Sequence, residues 1–223
     1  MGCYWGPVLA IVRKRWVTMF ELTAVLSGYL LGSMPFAYLV TRARRHIDIR
    51  DVDIGNAGAG SVIRVVGLPA GILVLVCDIG KGVVAVFVAQ ACGVGLEWVF
   101  AAGLAAVVGH VYPVFLNFRG GQGAATLIGA FLGIAPKAMG LALAVMGIVL
   151  LLNLKHGGSR RLFFVVACGA PFVPFFTYLI YGSVTMMLYE LAVMAVVVVR
   201  NRERLRHPRS ITKRILGETD ESV

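Results

Sequence analysis

The stretch from Leu68 to Val94 carries only two charged side chains, Asp78 and Lys81, and no alternation of apolar and polar residues. A run of that length is enough for a helix to cross the hydrocarbon of a bilayer, which takes about 20 residues. Comparable runs are read at Leu22–Thr41, Trp98–Leu116, Ala124–Ala135, Lys137–Leu154, Leu162–Tyr181 and Ser183–Val199. Lipid offers the backbone no hydrogen-bond partners, so spanning segments are helices or closed barrels. These runs are too long and too uniformly apolar for barrel strands. The expected fold class is therefore all-α, a polytopic membrane bundle of about seven transmembrane helices. The fourth run is short, and Pro136 separates it from the fifth.

Charge supports the same reading. Only 14% of the 223 residues are charged, against about 25% in a soluble domain. The net charge of +10 is unevenly placed. Arg42, Arg44, Arg45, Arg50, Arg64, Arg119, Lys155, Arg160, Arg161 and the tail from Arg200 to Arg214 fall on one side of the expected spans. Arg13, Lys14, Arg15 and Lys137 fall on the other. The positive-inside rule puts the first group in the cytoplasm and the N-terminus outside, in a multi-pass protein of the cell inner membrane. Residues 1–21 read as an N-terminal extension, 22–199 as the membrane domain and 200–223 as a basic cytoplasmic tail. With no soluble module to carry it, nucleic-acid binding is not expected. Membrane lipid is the expected neighbour of the tail, and the competing reading has Arg200 to Arg209 completing a phosphate pocket.

Two glycine-rich segments interrupt the apolar runs. Gly55-Asn56-Ala57-Gly58-Ala59-Gly60-Ser61 is followed by Arg64, and Arg119-Gly120-Gly121-Gln122-Gly123 leads into Ala124-Ala125-Thr126. Bare amides at a helix start, with a guanidinium alongside, suit phosphate. The first loop lacks the G-x-x-x-x-G-K-[ST] pattern of nucleotide P-loops, and no strand precedes it as a dinucleotide fingerprint requires. Arg50, in Asp48-Ile49-Arg50, and Arg64 are placed to clamp an anion held by that loop. Both loops are expected on the cytoplasmic side.

Other residues admit two readings each. Asp78 and Lys81 share a helix face at i and i+3, either as an internal ion pair or with Lys81 reaching an anionic substrate. His110, in Gly109-His110-Val111-Tyr112-Pro113, is a packing histidine or a general base. Ser33 forms a local backbone bond beside Pro35 or touches substrate. Glu190 has no evident partner, and no role is given to it. The cysteines at 3, 77, 92 and 168 show no CxxC spacing and the histidines are scattered, so neither metal nor cofactor is called for.

Taken together, the segments resemble the bacterial acyl-phosphate:glycerol-3-phosphate acyltransferase family. The matching stretches run in family order from Gly28-Tyr29-Leu30-Leu31-Gly32-Ser33-Met34-Pro35-Phe36 through the two glycine loops to Thr126. The resemblance implies a cytoplasmic active site that transfers a fatty acyl group from acyl phosphate to the 1-hydroxyl of glycerol 3-phosphate, giving lysophosphatidate. It directs attention to His110 and Ser33 for catalysis. For phosphate binding it points to Arg50, Gly55, Asn56, Gly58, Arg64, Lys81, Arg119, Gly120, Gly121, Gln122, Gly123 and Thr126. The chain departs from the family pattern at Asp53-Ile54, at Gly60-Ser61 and at Gln122, where a lysine is usual. A non-catalytic relative that binds phospholipid or acyl phosphate, and a small anion carrier, are the competing readings.

Overall fold

The computed structural model describes residues 6–52, 57–152 and 169–206, and every regular element among them is helical. In chain order these are α1 (Gly6–Gly32), α2 (Phe36–Arg45), α3 (Ile49–Val52), α4 (Ala59–Val65), α5 (Leu68–Ala91) and α6 (Leu96–Val111). A one-turn 3-10 helix at Val114–Leu116 follows, then α7 (Ala124–Ile134), α8 (Pro136–Leu152), α9 (Phe172–Tyr181) and α10 (Val184–Arg206). Gly55 and Asn56 of the first glycine loop, and the start of the expected span Leu162–Tyr181, lie outside the described residues.

Among the described residues, three helical stretches are long and apolar enough to cross a bilayer: Thr18–Arg45, Leu68–Ala91 and Leu96–Leu116. Ala124–Ile134, Pro136–Leu152 and Phe172–Tyr181 are shorter apolar helices. The bundle is a membrane fold turned outward: Leu26, Leu68, Val76, Leu151 and Leu179 are all at least half exposed. The expected span Leu22–Thr41 is not one continuous helix. Pro35 has no N–H to donate and its ring crowds the preceding turn, so α1 ends at Gly32. The chain turns through Ser33 and Met34 before α2 resumes. Ser33 Oγ donates to Tyr29 O at 2.8 Å, beside the Ser33 N bond to the same carbonyl. Upstream, α1 runs back without a break to Gly6.

Small residues let α1 and α6 touch backbone to backbone. A Cβ on Gly28 or Gly32 would run into the main chain of Ala102 or Ala106, and one on Gly109 would meet Tyr29 O and Ser33. Such close approach is how membrane helices gain dispersion contacts when lipid gives no hydrophobic drive. Helices α5 and α7 meet the same way, with Gly82 against Thr126 O and Gly129 against Ile79 O. The shortness of α7 follows from this position. At about 1.5 Å per residue it extends only ~16 Å, and Gly129, Ala130, Phe131 and Gly133 are buried inside the bundle.

Candidate functional site

Polar side chains converge where α1 breaks and α6 ends. Asp78 and Lys81 of α5 form the ion pair that their spacing allows, Nζ to Oδ1 at 2.8 Å, with both side chains almost wholly buried. Lys81 Nζ also donates to Met34 O at 3.0 Å, a carbonyl released from the helical ladder by the Pro35 break. The ammonium lies 5.7 Å from the centre of the Phe36 ring. The other side of Asp78 Oδ1 faces His110 Nδ1 at 3.5 Å. One carboxylate thus ties α5 to α6, and one lysine ties α5 to the α1–α2 turn. Burying charges in lipid is costly unless they are paired, and this arrangement pairs them.

The second glycine loop folds back onto that cluster. Gly120 N donates to Val111 O at 3.2 Å and Gly121 N to His110 O at 3.0 Å. A Cβ on Gly121 would strike His110 Nε2, and one on Gly120 would strike His110 O, so only glycine fits at either place. The turn that brings the loop round contains two consecutive left-handed residues, Asn117 (φ 51) and Phe118 (φ 60). Left-handed backbone is uncommon for a bulky residue such as phenylalanine. Its cost is offset by Phe118 N donating to Pro113 O at 3.0 Å, and the turn leaves Arg119 on the surface. Gly123, also left-handed at φ 87, then caps α7. Gln122 is half-buried beside it. Thr126, in the first turn of α7, is fully buried and its hydroxyl has no partner among the described residues.

The first glycine loop meets the second. The ideal Cβ position of Gly121 lies 2.9 Å from Ala57 O, one residue beyond Asn56. Ala57 joins Ser33, Lys81, His110, Gly120 and Gly121 around a cavity of about 10 Å³, roughly the room one water needs. Gly58 caps the seven-residue α4 in extended conformation. Arg64, in the last turn of α4, donates to Ser61 Oγ at 3.2 Å.

Arg50 carries an ion pair of its own. Its Nε and Nη2 fork onto the Asp48 carboxylate, the shortest contact being 2.6 Å, and Nη1 donates to Leu116 O at 2.9 Å. The guanidinium also lies 5.7 Å from the Tyr38 ring centre. The hydrogen bond from Arg50 holds the Asp48 carboxyl below its ordinary value, and Asp48 in turn raises Arg50. Arg50 therefore pins the chain after α2 to the turn before Arg119, across 66 positions of sequence. Around that joint opens a second, larger cavity of about 520 Å³, lined by Asp48, Arg50, Asp51, Asn117, Arg119 and Arg200. Arg64 is not among its lining residues.

The structure thus gathers Ser33, Lys81, His110, Gly120 and Gly121 at an inner cavity, and Arg50 and Arg119 at an outer one. Sequence reading missed the Asp78–His110 contact, the Asp48 partner of Arg50, and which arginine of the basic tail faces the cavity. The first and last depend on helix packing; the Asp48-x-Arg50 spacing was visible in the chain. Among the described residues no group of three His, Cys, Asp or Glu is placed to hold a metal.

Against known proteins, residues 22–210 match the family model described as glycerol-3-phosphate acyltransferase. The chain is 36% identical over 195 residues to a glycerol-3-phosphate acyltransferase of Geotalea daltonii, covering 87% of this chain and 97% of that one. It is 39% identical to one from Geobacter sulfurreducens, covering 86% and 96% respectively. Among solved structures it resembles PlsY (YgiH), an integral membrane glycerol 3-phosphate acyltransferase, in its glycerol 3-phosphate form. That match has a TM-score of 0.72 at 27% identity, over 91% of this chain and 96% of that one. The lysophosphatidic acid form matches with a TM-score of 0.70 at 26% identity, over 89% and 93%.

Proposed function

The chain belongs to the glycerol-3-phosphate acyltransferase family, and from that premise we infer that it is a membrane enzyme joining an acyl group to glycerol 3-phosphate. The donor is acyl phosphate and the product is lysophosphatidate, a precursor of phospholipid. The observation that carries this reading is the meeting of the two glycine loops, Ala57 against Gly121, next to a cavity that holds three arginines. Donor and acceptor each bring a phosphate, and the joined loops offer amides and guanidinium groups to both.

In the reaction the 1-hydroxyl oxygen of glycerol 3-phosphate attacks the acyl carbon. The bond from that carbon to the phosphate oxygen breaks, and inorganic phosphate leaves. A mixed anhydride is already activated, so positioning and charge stabilisation supply the acceleration without a covalent enzyme intermediate. We assign Arg119, Gly120, Gly121, Gln122, Gly123 and Thr126 to one phosphate cradle, and Gly55, Asn56, Gly58 and Arg64 to the other. Arg50 braces the two. Ser33 and His110 stand at the inner wall, where His110, oriented by Asp78, is the candidate acceptor of the hydroxyl proton. The leaving inorganic phosphate is basic enough to carry that proton away. Lys81 holds the Met34 turn in place through its bond to the Met34 carbonyl. The cytoplasm is the side on which both cradles open, with the N-terminus outside and the protein in the cell inner membrane, as the distribution of arginine and lysine favours.

Purified protein given acyl phosphate and radiolabelled glycerol 3-phosphate should form lysophosphatidate. Arg119→Ala should abolish turnover while the protein still inserts and folds. Product formation by Arg119→Ala at the wild-type rate would remove Arg119 from the cradle. A well-folded wild type that makes no product would leave a binding protein in place of an enzyme.

A further inference from the structure

The basic residues that close α2 line neither of the two cavities. Arg42, Arg44 and Arg45 form the last turn of this ten-residue helix, and all are exposed. Arg42 Nη1 reaches His46 O at 3.5 Å, a weak hydrogen bond. Among the described residues none of these arginines forms an ion pair. Asp48, the next carboxylate along the chain, is already taken by Arg50. The helix dipole favours basic charge at a C-terminus, but it gives no reason for the apolar side chains exposed beside it.

The inner side of α2 is packed. Ala37 and Thr41 are buried, and Ala37 shares a small core with Ile49, Ala57, Val62 and Val74. Helices α2, α3 and α4 pack on one another, and α2 and α4 also pack on α5, as a collar about its beginning. Away from that core Leu39 is 51% exposed, and Val52, Ile63 and Leu68 are exposed too. Leu39 and Arg42 stand three residues apart, hence on one face of α2. The stretch Thr18–Arg45 has the length and hydropathy of a membrane crossing. Towards its end the chain presents exposed leucine first and exposed arginine next. That order matches the acyl and headgroup layers of a bilayer.

We propose that the last turn of α2 is a docking surface for anionic phospholipid headgroups, with Leu39 against the acyl chains and Arg42, Arg44 and Arg45 on the phosphates. Each guanidinium can give a phosphate two parallel N–H bonds. At 3.6 residues per turn the side chains leave the helix in different directions, which suits a layer of headgroups and not one small anion. Docking there holds the collar, and with it Gly58 and Arg64 of α4, against the membrane surface. It is independent of the acyltransferase chemistry.

Full-length protein is placed in phosphatidylcholine vesicles with a trace of phospholipid carrying a photoreactive group in its acyl chain. The headgroup of this probe is either anionic phosphatidylglycerol or zwitterionic phosphatidylcholine, and adducts are mapped by mass spectrometry. On residues 36–45 of wild type the anionic probe is expected to give a roughly tenfold higher yield. In Arg42→Gln/Arg44→Gln/Arg45→Gln the two yields should come within twofold of each other. Salt at about 1 M cuts the screening length to about 3 Å and should shrink the excess on wild type. That measurement decides the matter even where the triple variant folds poorly. Equal yields on wild type, an excess that survives the triple substitution, or one indifferent to salt would each overturn the proposal. So would an excess abolished by millimolar inorganic phosphate at constant ionic strength, which would mark a site for a free anion.

Discussion

The inner cluster and the outer cavity lie side by side and use charge in opposite ways. Asp78, Lys81 and His110 are buried, mutually paired and gathered round a space of about 10 Å³. The outer cavity, at about 520 Å³, has exposed arginines, and one of its three guanidinium groups is already neutralised by Asp48. The first arrangement ties three helices together; the second leaves charge at the surface of a cavity. A buried charge deprived of its partner damages the fold, whereas an exposed charge removed from a binding wall damages affinity.

The sharpest way to break that contrast is Lys81→Met. Removing the ammonium leaves the Asp78 carboxylate buried beside His110 alone, with an expected stability loss of about 3–5 kcal/mol. Thermal unfolding in detergent would register it, and the double change with Asp78→Asn should recover part of the loss. Normal melting with lost turnover would instead move Lys81 from the frame to the substrate. Next in size is Gly121→Ala, whose new methyl group collides with His110. Turnover should fall about 100-fold, with a stability cost of about 1–3 kcal/mol from overpacking. Turnover close to wild type would mean the loop need not press against the imidazole.

The smallest effect belongs to the Asp48–Arg50 joint, and it depends on pH. The hydrogen bond from Arg50 puts the folded carboxyl below its ordinary value of 3.8. A carboxyl lowered on folding contributes stability that is complete above its unfolded value and is lost as pH falls through the folded one. The melting difference between wild type and Asp48→Asn should therefore be constant from neutrality down to about pH 4 and shrink below it. A difference that shrinks between pH 5 and 7 would show that some other group holds the joint.

Much of this architecture was legible in the chain because lipid leaves so few choices. Apolar runs of twenty residues must be helices, and the starts of α5, α6, α7 and α10 all fall within two residues of the expected spans. The i, i+3 spacing gave the Asp78–Lys81 pair directly. Meeting of the glycine loops was expected from their common side of the membrane, and Ala57 against Gly121 brings them into contact. Two things were harder to see. Pro35 announced a bend, but at the full break the Met34 carbonyl is met by Phe36 N and by Lys81, 47 positions away. The tail offered many arginines, and which of them faces the cavity is decided by how α10 crosses α6 and α7, a tertiary property that no local pattern encodes.

The glycine-mediated contact of α1 with α6 has a consequence for how the protein lives in different membranes. Met34 hangs from the end of one of these helices and His110 from the end of the other, and their main chains abut at Gly28, Gly32 and Gly109. When a thinner or thicker bilayer tilts its helices, these two lean as one piece, so the spacing of the inner cluster is insulated from lipid composition. Arg200 rides on a different helix, which meets α6 through side chains, Tyr189 against Gly103 and the guanidinium over Tyr112. A change of bilayer thickness will therefore be felt first at the outer cavity and last at the groups behind it.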